Sequence, residues 1–225
     1  MRRIRASLAA ALCVTAVQVA APAQAAKLEQ QATVTSATAT LERLKADDGY
    51  RQNLEPLLAR ARAVLIIPHL VKAGFLLGGE YGEGVLLARG VDGWSQPAFY
   101  ALIAGSLGLQ VGIQDAEVIF VIMSDKALNA IMNNSLKLGA DVGVAFLNAG
   151  AGLEASTTTN MRADIYAFSH NIGFFGGGAL EGAIIKPLGT WNSAYYKKTL
   201  TPADILLNRG AANPGADRLR ELLGN

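Results

Sequence analysis

The sequence predicts an α+β fold: a curved, mostly antiparallel, glycine-rich β-sheet or partial barrel flanked by N-terminal and C-terminal helices. Three observations predict it. Twenty of the 24 glycines fall between residues 63 and 196, where each would weaken a helix by roughly 0.5–1 kcal/mol relative to Ala. The stretch 27–62 before them holds one glycine, Gly49, and carries apolar residues at helical spacing. Within the middle zone only 125–135 breaks the β character, so strands, one helix and more strands follow one another.

The first 25 residues read as a separate object. Arg2, Arg3 and Arg5 precede an Ala/Leu/Val-rich stretch over 6–21, and Ala23-Gln24-Ala25 supplies a small-x-small cleavage pattern. That is the layout of a secretory signal peptide, with the exported chain starting at Ala26. A membrane span needs about 20 strongly apolar residues, and Ser7, Thr15 and Gln18 interrupt this shorter run. The alternative is a lipoprotein modified at Cys13, but Leu12 stands where a small residue belongs. The expected location is the periplasm or the outer membrane. Cys13 is the only cysteine, so the exported chain has no disulfide or thiolate metal site. Losing three arginines and no acid takes the formal charge from +2 to −1. Nucleic-acid binding, which needs a basic face, is not expected.

Residues 26–62 form the expected helical segment and 63–225 the β-rich domain with C-terminal helices, together one globular unit. Val34, Ala37, Leu41 and Leu44 place an amphipathic helix over about 30–46. Asp47-Asp48-Gly49 ends it, and Asn53 is placed to cap a second helix over 54–61 with Pro56 in its first turn. Strands are expected at 63–67, 74–79, 83–88, 98–103, 107–113, 117–123, 141–147, 163–169 and 179–186. Val91-Asp92-Gly93-Trp94 is a turn signal. Ser124 can cap the central helix, whose apolar face holds Ala127, Leu128, Ile131 and Met132. Thr201-Pro202-Ala203-Asp204 and Asn213-Pro214 each read as a cap followed by a helix start, and Gly224 as a stop.

The glycines have a pattern of their own. Gly74-Phe75-Leu76-Leu77-Gly78-Gly79, then Glu83-Gly84 and three apolar residues, returns as Gly173-Phe174-Phe175-Gly176-Gly177-Gly178, then Glu181-Gly182 and three more. This reads as an internal repeat of one bent β unit. Gly74, Gly79, Gly177 and Gly182 are its structural glycines, with Gly79 and Gly177 expected at bends that a side chain cannot enter.

Chemistry-bearing patterns are few. His69 and His170 lie far apart and form no helical metal pair. Gly150-Ala151-Gly152-Leu153-Glu154-Ala155 fits a loose dinucleotide fingerprint, but Ser156-Thr157-Thr158-Thr159 follows where a helix should open. Glu80, Glu83 and Glu181 flank glycines and read as solvent-side carboxylates of a hairpin rather than an acid/base pair. No enzyme activity, cofactor or metal is expected. The basic residues are more informative. Arg43, Lys45, Arg51, Arg60, Arg62 and Lys72 accompany the N-terminal helices, and Lys197 and Lys198 follow Tyr195 and Tyr196. Such residues can hold anionic headgroups. With Glu42, Asp47, Asp48 and Glu55 interleaved, they read equally as an ordinary solvated face.

Ile67-Pro68, Lys72-Ala73-Gly74-Phe75, Gly105-Ser106-Leu107-Gly108-Leu109-Gln110-Val111-Gly112, Leu138-Gly139-Ala140-Asp141 and Gly173-Phe174-Phe175 with Glu181-Gly182 occur in that order. In these motifs the chain resembles the SYLF domain family, also called the Ysc84-type or lipid-binding SYLF domain, over about 62–207. The resemblance implies a non-enzymatic lipid-binding module that contacts anionic phospholipid headgroups, of phosphatidylinositol type in eukaryotic members. The residues expected to make that contact are Lys72, Lys197, Lys198, Arg43 and Lys45. The N-terminal helix here has no Trp or Phe and is only modestly amphipathic, which argues against deep insertion. Actin, a partner of yeast members, is not expected for an exported chain. The alternative is an envelope structural or protein-interaction domain acting through its sheet edges.

Overall fold

A computed structural model describes residues 21–133, 135–148, 163–169, 180 and 182–224. Helix α1 (Ala21–Ala46) buries Val34, Ala37, Leu41 and Leu44, the predicted stripe. A single residue, Asp47, separates it from α2 (Asp48–Leu58). Here the structure departs from the sequence reading. α2 starts six residues early, so Asn53 lies inside it and Pro56 falls in its third turn. Asp48 explains the early start: a carboxylate in the first turn favours the positive end of the helix dipole. Pro56 cannot donate a helical bond to the Gln52 carbonyl.

The strands expected at 63–67, 74–79 and 83–88 are one strand, β1 (Ala63–Gly90). Those expected at 98–103, 107–113 and 117–123 are likewise one, β3 (Ala98–Ile122). Glycine does not end a strand when the partner keeps the ladder intact, and these two pair antiparallel from Ala63↔Ile122 to Leu86↔Ala98. Register shifts between Ile67 and Leu70 and between Gly74 and Leu76 absorb the irregularity. The turn after Gly90, closed by Gly93 at φ 89°, leads into the short strand β2 (Gly93–Trp94).

β1 folds back on itself. The Arg89 N–H donates to the Arg62 carbonyl at 2.8 Å. Gly84 lies against Ile66, Gly82 against His69, and Lys72 meets Glu80. These pairs close in on residues near 76, which places the bend at the Gly74 to Leu76 shift, opposite Gly108 and Gly112 of β3. The bend is therefore at Gly74, not Gly79. A methyl on Gly79 would meet only the Ala104 carbonyl, at 3.9 Å.

The remaining strands extend β3. After α3 (Asp125–Asn133) come β4 (Leu136–Lys137), β5 (Val144–Asn148), β6 (Ile165–Ser169) and β7 (Ile184–Pro187). β6 and β7 pair antiparallel with β3, β4 with β7, and β5 runs parallel to β6. The described strands thus make one curled, mixed sheet, a half-barrel with helices beside it. Residues 173–179 and 181, most of the second glycine block, lie outside the described residues. So do the 150–159 glycine segment, His170, Gly177 and Glu181. Gly182 is described and sits at φ 84°, a conformation that glycine adopts without strain.

Alternation along β1 and β3 makes two apolar faces. Leu65, Ile67, Leu86, Tyr100, Leu102 and Phe120 look into the curl, where α3 packs with Ala127, Leu128, Ile131 and Met132. Val64, Ile66, Val85, Leu87, Phe99 and Val121 look outward under α1, α2, α4 (Gly189–Tyr196) and α6 (Asp217–Leu223). The caps are as expected at three places. Ser124 Oγ accepts the Ala127 N–H at 3.1 Å. Thr201 and Asp204 form a reciprocal capping box on α5 (Pro202–Leu206). Gly224 ends α6 at φ 83°. Asn213 caps a short 3₁₀ turn, Pro214–Ala216, that runs into α6.

Candidate functional site

The five basic residues picked from the sequence are not brought together into one cluster of free charges. Arg43 is paired with Glu117 and donates to Thr40 Oγ1. Lys45 donates to the Leu222 carbonyl and so ties α1 to α6. Lys72 does not reach outward: its Nζ lies 3.3 Å from Glu80 Oε1. Of the other helix-borne cations, Arg62 pairs with Asp125 at 2.6 Å and Arg60 donates to the Pro56 carbonyl.

Glu80 is the correction that matters most. The sequence placed it on the solvent side of a hairpin, whereas its side chain is fully buried. The fold-back of β1 causes this, because it turns the Glu80 face against the first half of the same strand. Burial pushes the Glu80 carboxyl above its ordinary value, and Lys72 pulls it back down. The pair spans the two halves of the strand and acts as a clamp near the bend. Glu83 keeps the solvent-side role, accepting the Tyr81 O–H at 2.7 Å. Burial, with that bond and the Glu83 charge, pushes the Tyr81 hydroxyl up to about 12. His69 meets Asp115 at 2.9 Å on the exposed side of β1.

Lys197 and Lys198 remain. Both are exposed at the end of α4, and Lys197 holds a left-handed conformation at φ 52°. Lys197 has no acid partner among the described residues, whereas Lys198 lies within electrostatic reach of Asp204, whose carboxyl Thr201 and, more weakly, this lysine hold down. Their base is rigid because the tyrosines before them belong to the core. Tyr195 is buried edge-on against Phe99 at 5.0 Å and Tyr196 at 4.9 Å, and Tyr196 donates to the Pro97 carbonyl at 2.6 Å. These rings are therefore not available to a membrane interface. The helix needs them to hold the sheet.

Two further lysines on strands, Lys137 and Lys186, are exposed and have no acid partner among the described residues. Sequence reading passed over them because it weighed only lysines beside helices. The alternation Ile184-Ile185-Lys186 was the signal, since it puts Ile184 and Lys186 on one face.

Among the described residues no group of His, Cys, Asp and Glu is placed to hold a metal, and no helix is long and apolar enough to cross a membrane. A crevice lined by Val118, Phe146, Leu147, Ala167, Phe168, Ser169 and Leu180 has a volume of about 10 Å³. That is room for one water, not for an acyl chain.

A bent glycine-rich hairpin, an enclosing mixed sheet and flanking helices are a fold, and the sequence says whose. Residues 103–225 match the profile of the Ysc84 family, described as Las17-binding protein actin regulator. The chain belongs to the Ysc84 family. Protein YSC84 of Saccharomyces cerevisiae is 33% identical over 171 residues, covering 74% of this chain and 36% of the yeast protein. LAS seventeen-binding protein 3 of the same yeast is 32% identical over 171 residues, with 74% and 37% covered. The human SH3 domain-containing YSC84-like protein 1 is 28% identical over 169 residues, with 74% and 49% covered. This Ysc84-family chain thus spans half or less of the length of these relatives. The second of these names describes a binding protein.

Proposed function

We propose that this chain is a non-enzymatic lipid-binding module of the Ysc84 family that contacts anionic phospholipid headgroups, and that it works in the cell envelope after export. The observation that carries the reading is Lys197 with Lys198: two adjacent, exposed ammonium groups, in no ion pair among the described residues though Lys198 faces Asp204, on a helix end locked by buried tyrosines. Arg43, Lys45 and Lys72, spent on Glu117, Leu222 and Glu80, are structural and contribute little to headgroup contact. Export rests on Arg2, Arg3, Arg5, the apolar stretch and Ala23-Gln24-Ala25. N-terminal sequencing of the protein from the envelope fraction should give Ala26. A lipid-modified Cys13 would overturn that start.

Two lysines at about 1 kcal/mol each amount to roughly a thirtyfold effect on partitioning at low salt. Co-sedimentation with anionic and neutral vesicles is the direct test, on the wild type and a Lys197→Ala/Lys198→Ala variant. Binding should favour the anionic vesicles, fall in the variant and fade as ionic strength shortens the Debye length. Equal pelleting with both vesicle types would favour the second reading, a protein-interaction domain. That reading draws on the relatives' names, Las17-binding and SH3 domain-containing, which describe those proteins. Strand addition at a sheet edge would hardly respond to salt.

A further inference from the structure

The helix layer on the outer face of the sheet stops short. Val85, Leu87 and Phe99 on that face are buried under helices. Farther along the same face, register joins Tyr81 to Ile103, Ile103 to Ile184, and Ile184 to Lys137. This row crosses four strands, β1, β3, β7 and β4. Tyr81 is 48% exposed, Ile103 41% and Ile184 39%, so three large side chains stand side by side in solvent. In the next row Glu83 joins Ala101, and Ala101 joins Lys186. On the other side lies Gly79 opposite Gly105, where a methyl on Gly105 would meet nothing within 4 Å. The row is therefore raised above a bare glycine floor.

Charge selects the partner. The acids at this rim, Glu83 and Asp141, stay charged but are held by the Tyr81 O–H and, at 2.7 Å, by the Lys137 backbone N–H. The Lys137 and Lys186 ammonium groups have no partner among the described residues. They are diagonal neighbours, on stems long enough to lie along apolar surface while the charge reaches outward. An apolar row beside two cations that have no acid partner among the described residues suits a lipid interface with anionic headgroups. A second copy of the chain would instead bring two such lysine pairs towards each other.

We propose that this face, Tyr81, Ile103 and Ile184 with Lys137 and Lys186, docks on an anionic membrane in addition to the Lys197–Lys198 contact. The proposal rests on the lipid-binding reading above and names a second part of the molecule that meets the bilayer. The β-branched and aromatic side chains enter the headgroup boundary, and the lysines take phosphates.

The test uses the protein as recovered from the expressing cell, with phosphatidylcholine vesicles with and without added phosphatidylglycerol. Lys137→Ala/Lys186→Ala should partition to the anionic vesicles about thirtyfold more weakly at low salt. Ile103→Ser should weaken binding to them at every salt concentration. Because Ile103 is already part exposed, its folding can be checked by an unchanged melting curve. Ile103→Trp is an independent reporter that needs no loss of binding: its emission should shift to the blue on anionic vesicles. If the wild type binds anionic vesicles while these variants bind equally well and the tryptophan emission stays put, this face is wrong and the lipid reading survives. If the wild type binds no vesicle, both fall. A wild-type dimer that Ile103→Ser dissociates, with no emission shift on vesicles, would assign the face to self-association and overturn the proposal.

Discussion

Gly84 and Gly79 lie five residues apart on β1 and make opposite demands. A methyl on Gly84 would overlap the Ile66 carbonyl and lie 2.6 Å from Ile67 Cδ1, while one on Gly79 has ordinary room. Gly84→Ala should therefore cost about 3 kcal/mol or more, since backbone has to move. Gly79→Ala should be neutral or slightly stabilising, because Ala loses less chain entropy than Gly on folding. Urea denaturation midpoints of the two variants check this, and similar midpoints would remove the fold-back contact from the explanation. The Glu80 clamp gives a second test. A carboxyl whose value is raised on folding holds its proton more tightly in the native state, so stability drops as pH rises from the ordinary carboxylate value to the folded one. Lys72→Met removes the compensating charge and leaves a buried carboxylate. It should cost about 3–5 kcal/mol at neutral pH, much of it recovered in mild acid. Glu80→Gln should flatten that pH dependence. A Lys72→Met loss of equal size in mild acid and at neutral pH would show that the ion pair is not what the lysine contributes.

At the scale of elements, α4 is attached to the sheet by one buried amide. Asn192 Oδ1 accepts the Phe99 N–H at 2.8 Å, fully shielded from water. Asn192→Leu would leave that N–H unpaired, and a loss of about 1–3 kcal/mol in thermal or urea unfolding is expected. No loss would mean that the ring stack of Phe99, Tyr195 and Trp191 holds α4 by itself. Helices were legible in the sequence where caps and periodicity agreed, as at Ser124 with Ala127, Leu128, Ile131 and Met132, and at Thr201 with Asp204. α2 was misplaced because Asn53 and Pro56 are good start signals, and Asp48 with Gly49 reads as a stop. The Asp48 carboxylate in the first turn decided for the earlier start. The strands were legible in type and content but not in number. A glycine between two apolar runs looks the same in sequence whether it ends a strand or bends it, and only the pairing of Gly74 with Gly112 tells which.

For the whole molecule, the family and the half-barrel were readable from ordered glycine motifs, yet the candidate site was read only in part. Lys197 and Lys198 stand out in the sequence as a consecutive pair, and the fold leaves both exposed. The meeting of Glu80 and Lys72 does not stand out, since it depends on a strand that returns past itself, which no local window contains. The outer row was invisible for the same reason: Tyr81, Ile103 and Ile184 are neighbours only through sheet register. That return has a consequence in time. Pairing of β1 with β3 can begin beside the Gly93 turn, where the loop to close is short, and proceed outward pair by pair. Zipping then travels away from its origin, passes the bend, and finishes at Ala63 and Ile122, which the fold-back sets beside the place where pairing began. The Arg62–Arg89 bond is thus the final stitch of a loop whose first stitch lies next to it. Substitutions at the Ile66–Gly84 contact should accordingly speed unfolding and leave the refolding rate nearly unchanged, whereas those near Leu86 and Ala98 should slow refolding.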